Sequence, residues 1–205
     1  LRDQTLSYVL RNVRTSGMAR PRSDERRSAI LAAAIRVIAA EGPSAATAAI
    51  AKEAGVSNGS LFTYFGTKAD LLNQLYLDIK KEMGAVILEG LSTESDLRSQ
   101  MLHVWRHWLR WAMSCSEKRR VLAHLNVSDD ITPETRKVGH QAMVGIEALL
   151  ERSRQSGALR NAPLIFVAAL VNSIADTTID FMIRDPANAG AHCDVGFEAA
   201  WKVLS

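Results

Sequence analysis

An all-α fold is what this sequence predicts, and three observations predict it. Apolar residues return every three or four positions through most of the chain, the spacing of one helix face. Pro is scarce, at 5 of 205 residues, and strand-like alternation is rare. Ala, Leu, Glu and Arg, all good helix formers, are plentiful. The pattern divides into about nine helices: a three-helix unit near the N-terminus, a long fourth helix, and a larger helical remainder.

The first helix is expected over 24–41. Ile30, Ala33, Ala34, Val37 and Ile38 form its apolar face, Asp24 and Glu25 suit its positive first turn, and Gly42-Pro43 stops it. A short second helix over 47–54 turns Ile50, Ala51 and Ala54 inward and ends at Gly55, with Val56 below the turn. Ser57 is a good N-cap for a third helix over 58–65, which Gly66 ends. Thr67 and Asp70 resemble a capping box opening the fourth helix, which runs to about 89 on Leu71, Leu72, Leu75, Ile79, Met83 and Val86. Gly84 weakens the middle of that helix by about 1 kcal/mol relative to Ala and marks a candidate bend and lever point. Further helices are expected over 94–115, 117–127, 132–156, 162–185 and 188–204. Pro133 and Pro163 open two of them, and Gly157 and Asp185-Pro186 close two.

The pattern puts a boundary inside or just after the fourth helix; with the resemblance described below, the expected division is a head over 23–83, with a helix-turn-helix over about 46–65, and a remainder over 84–205. Residues 1–22 are expected to be a disordered extension. Met18 looks like a natural start; the alternative is a basic arm of Arg11, Arg14, Arg20 and Arg22. The net charge of +3 is unevenly spread. Residues 1–75 carry 10 Lys/Arg against 6 Asp/Glu, and residues 76–205 carry 15 against 16. That bias suits phosphate attraction, although alone it is a weak signal.

Several chemistries find no support. Cys115 and Cys193 have neither metal-type spacing nor a disulfide framework, which fits a reducing, cytoplasmic compartment. The longest apolar run, 162–171, is too short to span a bilayer, and no secretory signal is evident. No nucleophile–base pair and no phosphate loop appears, so no catalytic residue, cofactor or metal is expected. His103 and His107 are spaced for a shared metal, but their neighbours are Arg106 and Arg110 rather than carboxylates. A solvated polar face is the expected reading there.

Three short helices with a tight turn between the second and third make a helix-turn-helix, whose second helix fits the major groove of DNA. Thr47, Asn58, Ser60, Thr63, Tyr64 and Lys68 are polar groups interleaved with the core residues Ile50, Val56, Leu61 and Phe65. The run from Ile50 to Leu72, IAKEAGVSNGSLFTYFGTKADLL, resembles the IA..AGVS.G.LY.YF..K..LL pattern of TetR-family regulators. About a dozen positions match without a gap, and the similarity covers roughly 23–83.

The resemblance implies the following roles. Thr47, Ser60 and Tyr64 match phosphate-contacting positions. Asn58 and Gly59 open the recognition helix, where base contacts are usual, and Thr63 matches a variable position that reaches a base. Lys68 matches the lysine that holds a phosphate at the start of the fourth helix. Phe62 stands at a DNA-binding position where Tyr is commonest, so a hydroxyl contact is lost. Ala46 and Ala48 are small where polar or basic residues are frequent. Ser57 and Thr67 are read first as helix caps.

For the C-terminal part, the resemblance implies an effector pocket and a homodimer formed through the last two helices. Pocket candidates are Met101, Trp105, Trp108, Phe166, Asn172 and Asp176. The aromatic stripe on the fifth helix reads equally well as core. Asn172, Asp176 and Asp180 form a row that also suits water or a dimer seam. Seam candidates are Phe166, Leu170, Ile174, Phe181, Phe197, Ala200, Trp201 and Leu204. The function implied is a repressor whose dimer binds a near-palindromic double-stranded operator and is released by a small-molecule effector. Competing readings are an enzyme or carrier that has lost DNA binding, and a regulator without an effector.

Overall fold

The computed structural model describes residues 19–155 and 157–205. Among them, ten α-helices and one short 3₁₀ turn account for the ordered elements. They are α1 (Ala19–Glu41), α2 (Thr47–Glu53), α3 (Asn58–Tyr64), α4 (Lys68–Leu88), α5 (Leu97–Ser114), α6 (Ser116–Asn126), α7 (Pro133–Gln141), α8 (Val144–Arg154), α9 (Leu164–Arg184) and α10 (Ala189–Leu204), with the 3₁₀ turn at Pro186–Asn188. The chain divides into two compact units after Leu72. The division falls one turn into α4, earlier than the 83/84 boundary expected from sequence.

Two differences concern helix limits. α1 begins at Ala19 rather than Asp24, so residues 19–22 are helical and not part of a disordered extension. Pro21 does not prevent this. It falls in the first turn, where the missing N–H has no intrahelical acceptor anyway. The basic-arm reading of Arg11 and Arg14, and the rest of the extension before Ala19, lies outside the described residues.

The second difference is a break. The single helix expected over 132–156 is two helices, α7 and α8, separated at Ala142-Met143. Met143 has φ −108° and ψ 0°, outside the helical well. A tertiary contact falls at this break. A Cβ placed on Gly84 of α4 would lie 2.4 Å from the Ala142 carbonyl oxygen, so the broken backbone presses directly onto the glycine. α4 itself runs unbroken through Gly84. The glycine permits this close approach, and the helix continues through it.

The first unit is a small core built from three helices and the start of a fourth. Ile30, Ala33, Ala34 and Ile38 of α1 meet Ile50 and Ala51 of α2, Leu61 of α3, and Phe65, Leu71 and Leu72, all 4% exposed or less. Val37 and Val56, expected inside, are half-buried. An Arg36–Glu53 ion pair at 2.7 Å joins α1 to α2, and the Arg27 guanidinium lies 5.3 Å over the Phe65 ring.

In the second unit, α5 is the central helix, packed against α8, α9 and α10. Its Trp105 is 3% exposed, and the indole N–H donates to the Cys193 carbonyl of α10 at 3.0 Å. α9 and α10 form an antiparallel pair brought close by Gly196, where any Cβ would collide with Thr178. By length and composition alone α9 is long and apolar enough to cross a membrane. The shorter run counted from sequence missed this because it stopped at the first polar residue. One face of α9 (Val167, Val171, Ala175, Ile179) is buried in this unit, and Asp176 and Asp180 on another face approach Arg119 of α6 at 3.3 and 3.8 Å.

Candidate nucleic-acid interface

The turn between α2 and α3 sets the direction of α3. α2 ends in a glycine cap of the Schellman type: the Gly55 N–H bonds the Lys52 carbonyl at 3.1 Å, and the Val56 N–H bonds the Ala51 carbonyl at 3.0 Å. Gly55 has φ +68°, a left-handed conformation that a side chain would strain. One residue later, the Ser57 hydroxyl accepts the Ser60 N–H at 3.0 Å and starts α3. At the far end, the Thr67 hydroxyl accepts the Asp70 N–H at 3.0 Å while the Asp70 carboxylate accepts the Thr67 N–H at 2.9 Å. This is the reciprocal capping box expected from sequence. Ser57 and Thr67 are therefore occupied as caps.

α3 is anchored by Leu61 at 0% exposed, with Phe65 just beyond its end at 4%. At about 100° of rotation per residue, Asn58, Phe62, Gly59 and Thr63 lie about 60°, 100°, 160° and 200° around the helix from Leu61, along one side of it. All four are exposed, whereas Ser60 and Tyr64 are half-buried at the flanks. Thr47 opens α2 and Lys68 opens α4, and both are half-buried. Among the described residues, Asn58, Thr47, Ser60, Tyr64 and Lys68 make no side-chain hydrogen bond or ion pair. Thr63 differs, since its hydroxyl donates to the Gly59 carbonyl one turn back at 3.2 Å. Gly59 has open space around its missing side chain, so no packing within the chain demands a glycine there.

The C-terminal candidates separate into two groups. Met101 and Trp105 are buried and Trp108 is half-buried; Trp105 meets Trp108 edge-on at 6.2 Å and Phe197 at 6.4 Å. Phe166, Asn172 and Asp176 are exposed on α9. Phe166 shares a helical face with Leu170, Ile174 and Phe181, and Asp176 turns to Arg119. A groove of about 410 Å³ between α9 and α10 is lined by Ile174, Thr177, Phe181, His192 and Val195, none of which were pocket candidates. The apolar rows of α9 and α10 could have suggested it, since each helix is apolar on more than one face.

Among the seam candidates, Phe197, Ala200 and Leu204 are 3% exposed or less, filled in by their own chain. They are thus core residues and unavailable to a partner. The His103–His107 pair also departs from expectation. The rings stack at 3.8 Å and both residues are half-buried, not solvated. His107 Nδ1 donates to the His103 carbonyl at 2.9 Å, while His103 Nε2 is buried near the Glu89 and Ile87 backbone without a hydrogen bond of ordinary geometry. Burial, then the neighbouring His107, pushes the His103 pKa down. Among the described residues no group of three metal-ligating side chains is assembled.

Known proteins share this fold. Residues 30–75 match the model of bacterial regulatory proteins of the tetR family. A tetR-family transcription regulator from Shewanella sp. PV-4 is 26% identical, with a TM-score of 0.77 over 87% of this chain and 97% of that one. A TetR-family regulator from Marinobacter aquaeolei VT8 is 24% identical, with a TM-score of 0.75 over 90% and 98%. The fold is also that of the regulator FadR from Bacillus subtilis in complex with stearoyl-CoA, at 18% identity and a TM-score of 0.63 over 87% and 97%.

Proposed function

We propose that this chain, whose residues 30–75 match the model of bacterial regulatory proteins of the tetR family and whose fold is that of TetR-family transcription regulators, is a sequence-specific repressor that binds a near-palindromic DNA operator as a homodimer. One observation carries the reading. α3 exposes Asn58, Gly59, Phe62 and Thr63 on one face, while the nearby polar groups of Thr47, Ser60, Tyr64 and Lys68 have no partner among the described residues. Such an arrangement suits a helix in the major groove with phosphate contacts at its flanks. Gly59 supports it further. With open space around its missing side chain, it lets the backbone in the first turn of α3 approach DNA closely.

The dimer forms through α9 and α10. Ile165, Phe166, Phe181, Ile183 and Val195 are 50% exposed or more, an apolar surface that supports pairing with a second copy. A small-molecule effector then acts through linkage. It binds the conformation that fits DNA poorly, and so lowers DNA affinity. The Bacillus protein of this fold is in complex with stearoyl-CoA, which supports a small-molecule effector of some kind, and Met101, Trp105 and Trp108 of α5 are the candidate residues beside it. Phe166, Asn172 and Asp176, by their exposure, suit the dimer face and the solvent better than the effector. A regulator of this kind acts without catalysis, in the cytoplasm, where its operator lies.

Selection from random duplex DNA tests the reading. Enrichment of an inverted repeat, with half-site centres about one or two helical turns apart, is expected. Recovery of a single unrepeated half-site would refute the dimer, and absence of any enriched sequence would refute the regulator.

A further inference from the structure

The exposed face of α3 is chemically lopsided. It holds one free amide, Asn58, and then a phenyl ring, a glycine and a threonine. Phe62 is 39% exposed, so a large apolar side chain stays in water on the surface that faces the proposed ligand. Its ring has no polar handle, so it can neither donate to a phosphate nor bond a base edge. Thr63 tends the same way. Its hydroxyl hydrogen is committed to the Gly59 carbonyl at 3.2 Å, which leaves the methyl group and the oxygen lone pairs for a partner.

In the major groove, one feature rewards apolar side chains: the 5-methyl group of thymine. Asn, by contrast, matches the N6 and N7 edge of adenine. We propose that Phe62 and Thr63 read thymine 5-methyl groups in the operator half-site, beside an adenine held by Asn58. The inference rests on the DNA-binding reading above and deepens it. It assigns sequence preference to two apolar contacts where a row of polar side chains would otherwise be expected. Phe62 thereby changes from a lost hydroxyl contact into a determinant of specificity.

The test uses the full chain and the duplex that it enriches from a random library. Each thymine of the half-site is replaced in turn by deoxyuridine, in both halves, which removes the methyl and leaves base pairing intact. One or two positions should lose about fourfold in affinity per half-site, the size expected for one buried methyl. At those positions Phe62→Ala should bind thymine and uracil duplexes alike. Thr63 supplies a second, nearly isosteric comparison. Thr63→Val keeps the methyl and should keep the uracil penalty at its position, whereas Thr63→Ser keeps the hydroxyl and should lose it.

Uracil penalties that persist in the Phe62→Ala, Thr63→Ser double variant would overturn the assignment, as would the reverse order of the Val and Ser variants. An enriched duplex indifferent to uracil everywhere overturns this inference alone. Failure to enrich any duplex overturns the DNA-binding reading, and this inference with it.

Discussion

Replacing Gly84 by Ala asks whether the contact between α4 and the α7–α8 break is as tight as the structure has it. Two effects oppose one another. Ala is favoured over Gly within a helix by about 1 kcal/mol, and position 84 lies well inside α4. Against this, the new Cβ would stand 2.4 Å from the Ala142 oxygen, 3.3 Å from its carbonyl carbon and 3.6 Å from the Met143 sulfur. Ordinary contact begins near 3.4 Å, so the obstruction must move by roughly an ångström. The obstructing atom belongs to the backbone and cannot simply rotate away. Overpacking of this kind costs about 1–3 kcal/mol, and a backbone obstacle places it in the upper half of that range. The net effect is a loss of about 1–2 kcal/mol, or a fall in melting temperature of roughly 2–8 °C for a chain of this size. Thermal denaturation followed by circular dichroism measures it. Gly190→Ala in α10 serves as control, because its Cβ would meet open space, and it should not lower the melting temperature. A Gly84→Ala protein that melts at or above the wild type would refute the close approach and return Gly84 to the role of a weak point in the lever.

Lys68→Ala should weaken binding to all DNA sequences alike and reduce the slope of log affinity against log salt by about one unit; a changed sequence preference would contradict its assignment to a phosphate. Asn58→Ala should instead relax specificity at one base position while leaving the salt slope unchanged, as measured by competition with single-base operator variants. Phe181→Asp together with Val195→Asp should convert the dimer to a monomer in sedimentation velocity without loss of helical signal, since both side chains are more than half exposed in the protomer. Asp96 caps α5, and its side-chain hydrogen bond with Ser99, reinforced by the Ser99 backbone N–H, holds its pKa below the usual carboxylate value. A lowered folded-state pKa stabilises above the unfolded value of about 4, and that contribution is lost as pH falls through the folded value. The gap in melting temperature between wild type and Asp96→Ala should therefore be present at neutral pH and narrow in acid; a constant gap would show that the cap does not depend on charge.

What could be read from sequence depended on whether the deciding interaction was local. Ser57, Thr67, Asp70 and Gly55 announce their caps and turn because each bonds within a few residues of itself. The four exposed positions of α3 follow from the period of a helix once Leu61 and Phe65 are known to be core. The break between α7 and α8 could not be read in this way. Nothing between His140 and Leu150 forbids a helix, and the contact that coincides with the break, Gly84 of α4 against the Ala142 carbonyl, joins residues far apart in sequence. The same limit explains Phe197, Ala200 and Leu204. An apolar period marks a covered face without saying whether the cover is the same chain or a partner, and here it is the chain's own core. Trp105 illustrates it again, because only the structure brings Cys193 within reach of its indole.

The central claim is that the exposed face of α3 reads a particular DNA sequence. The most direct measurement titrates the purified full chain into labelled DNA from upstream of its own coding region and into scrambled DNA of the same composition, at two salt concentrations. The account predicts a preference of about a thousandfold or more for the upstream fragment, with both affinities falling as salt rises. Equal, weak binding to both fragments at both salt concentrations, joined by no enriched sequence in the random-library selection, would contradict it.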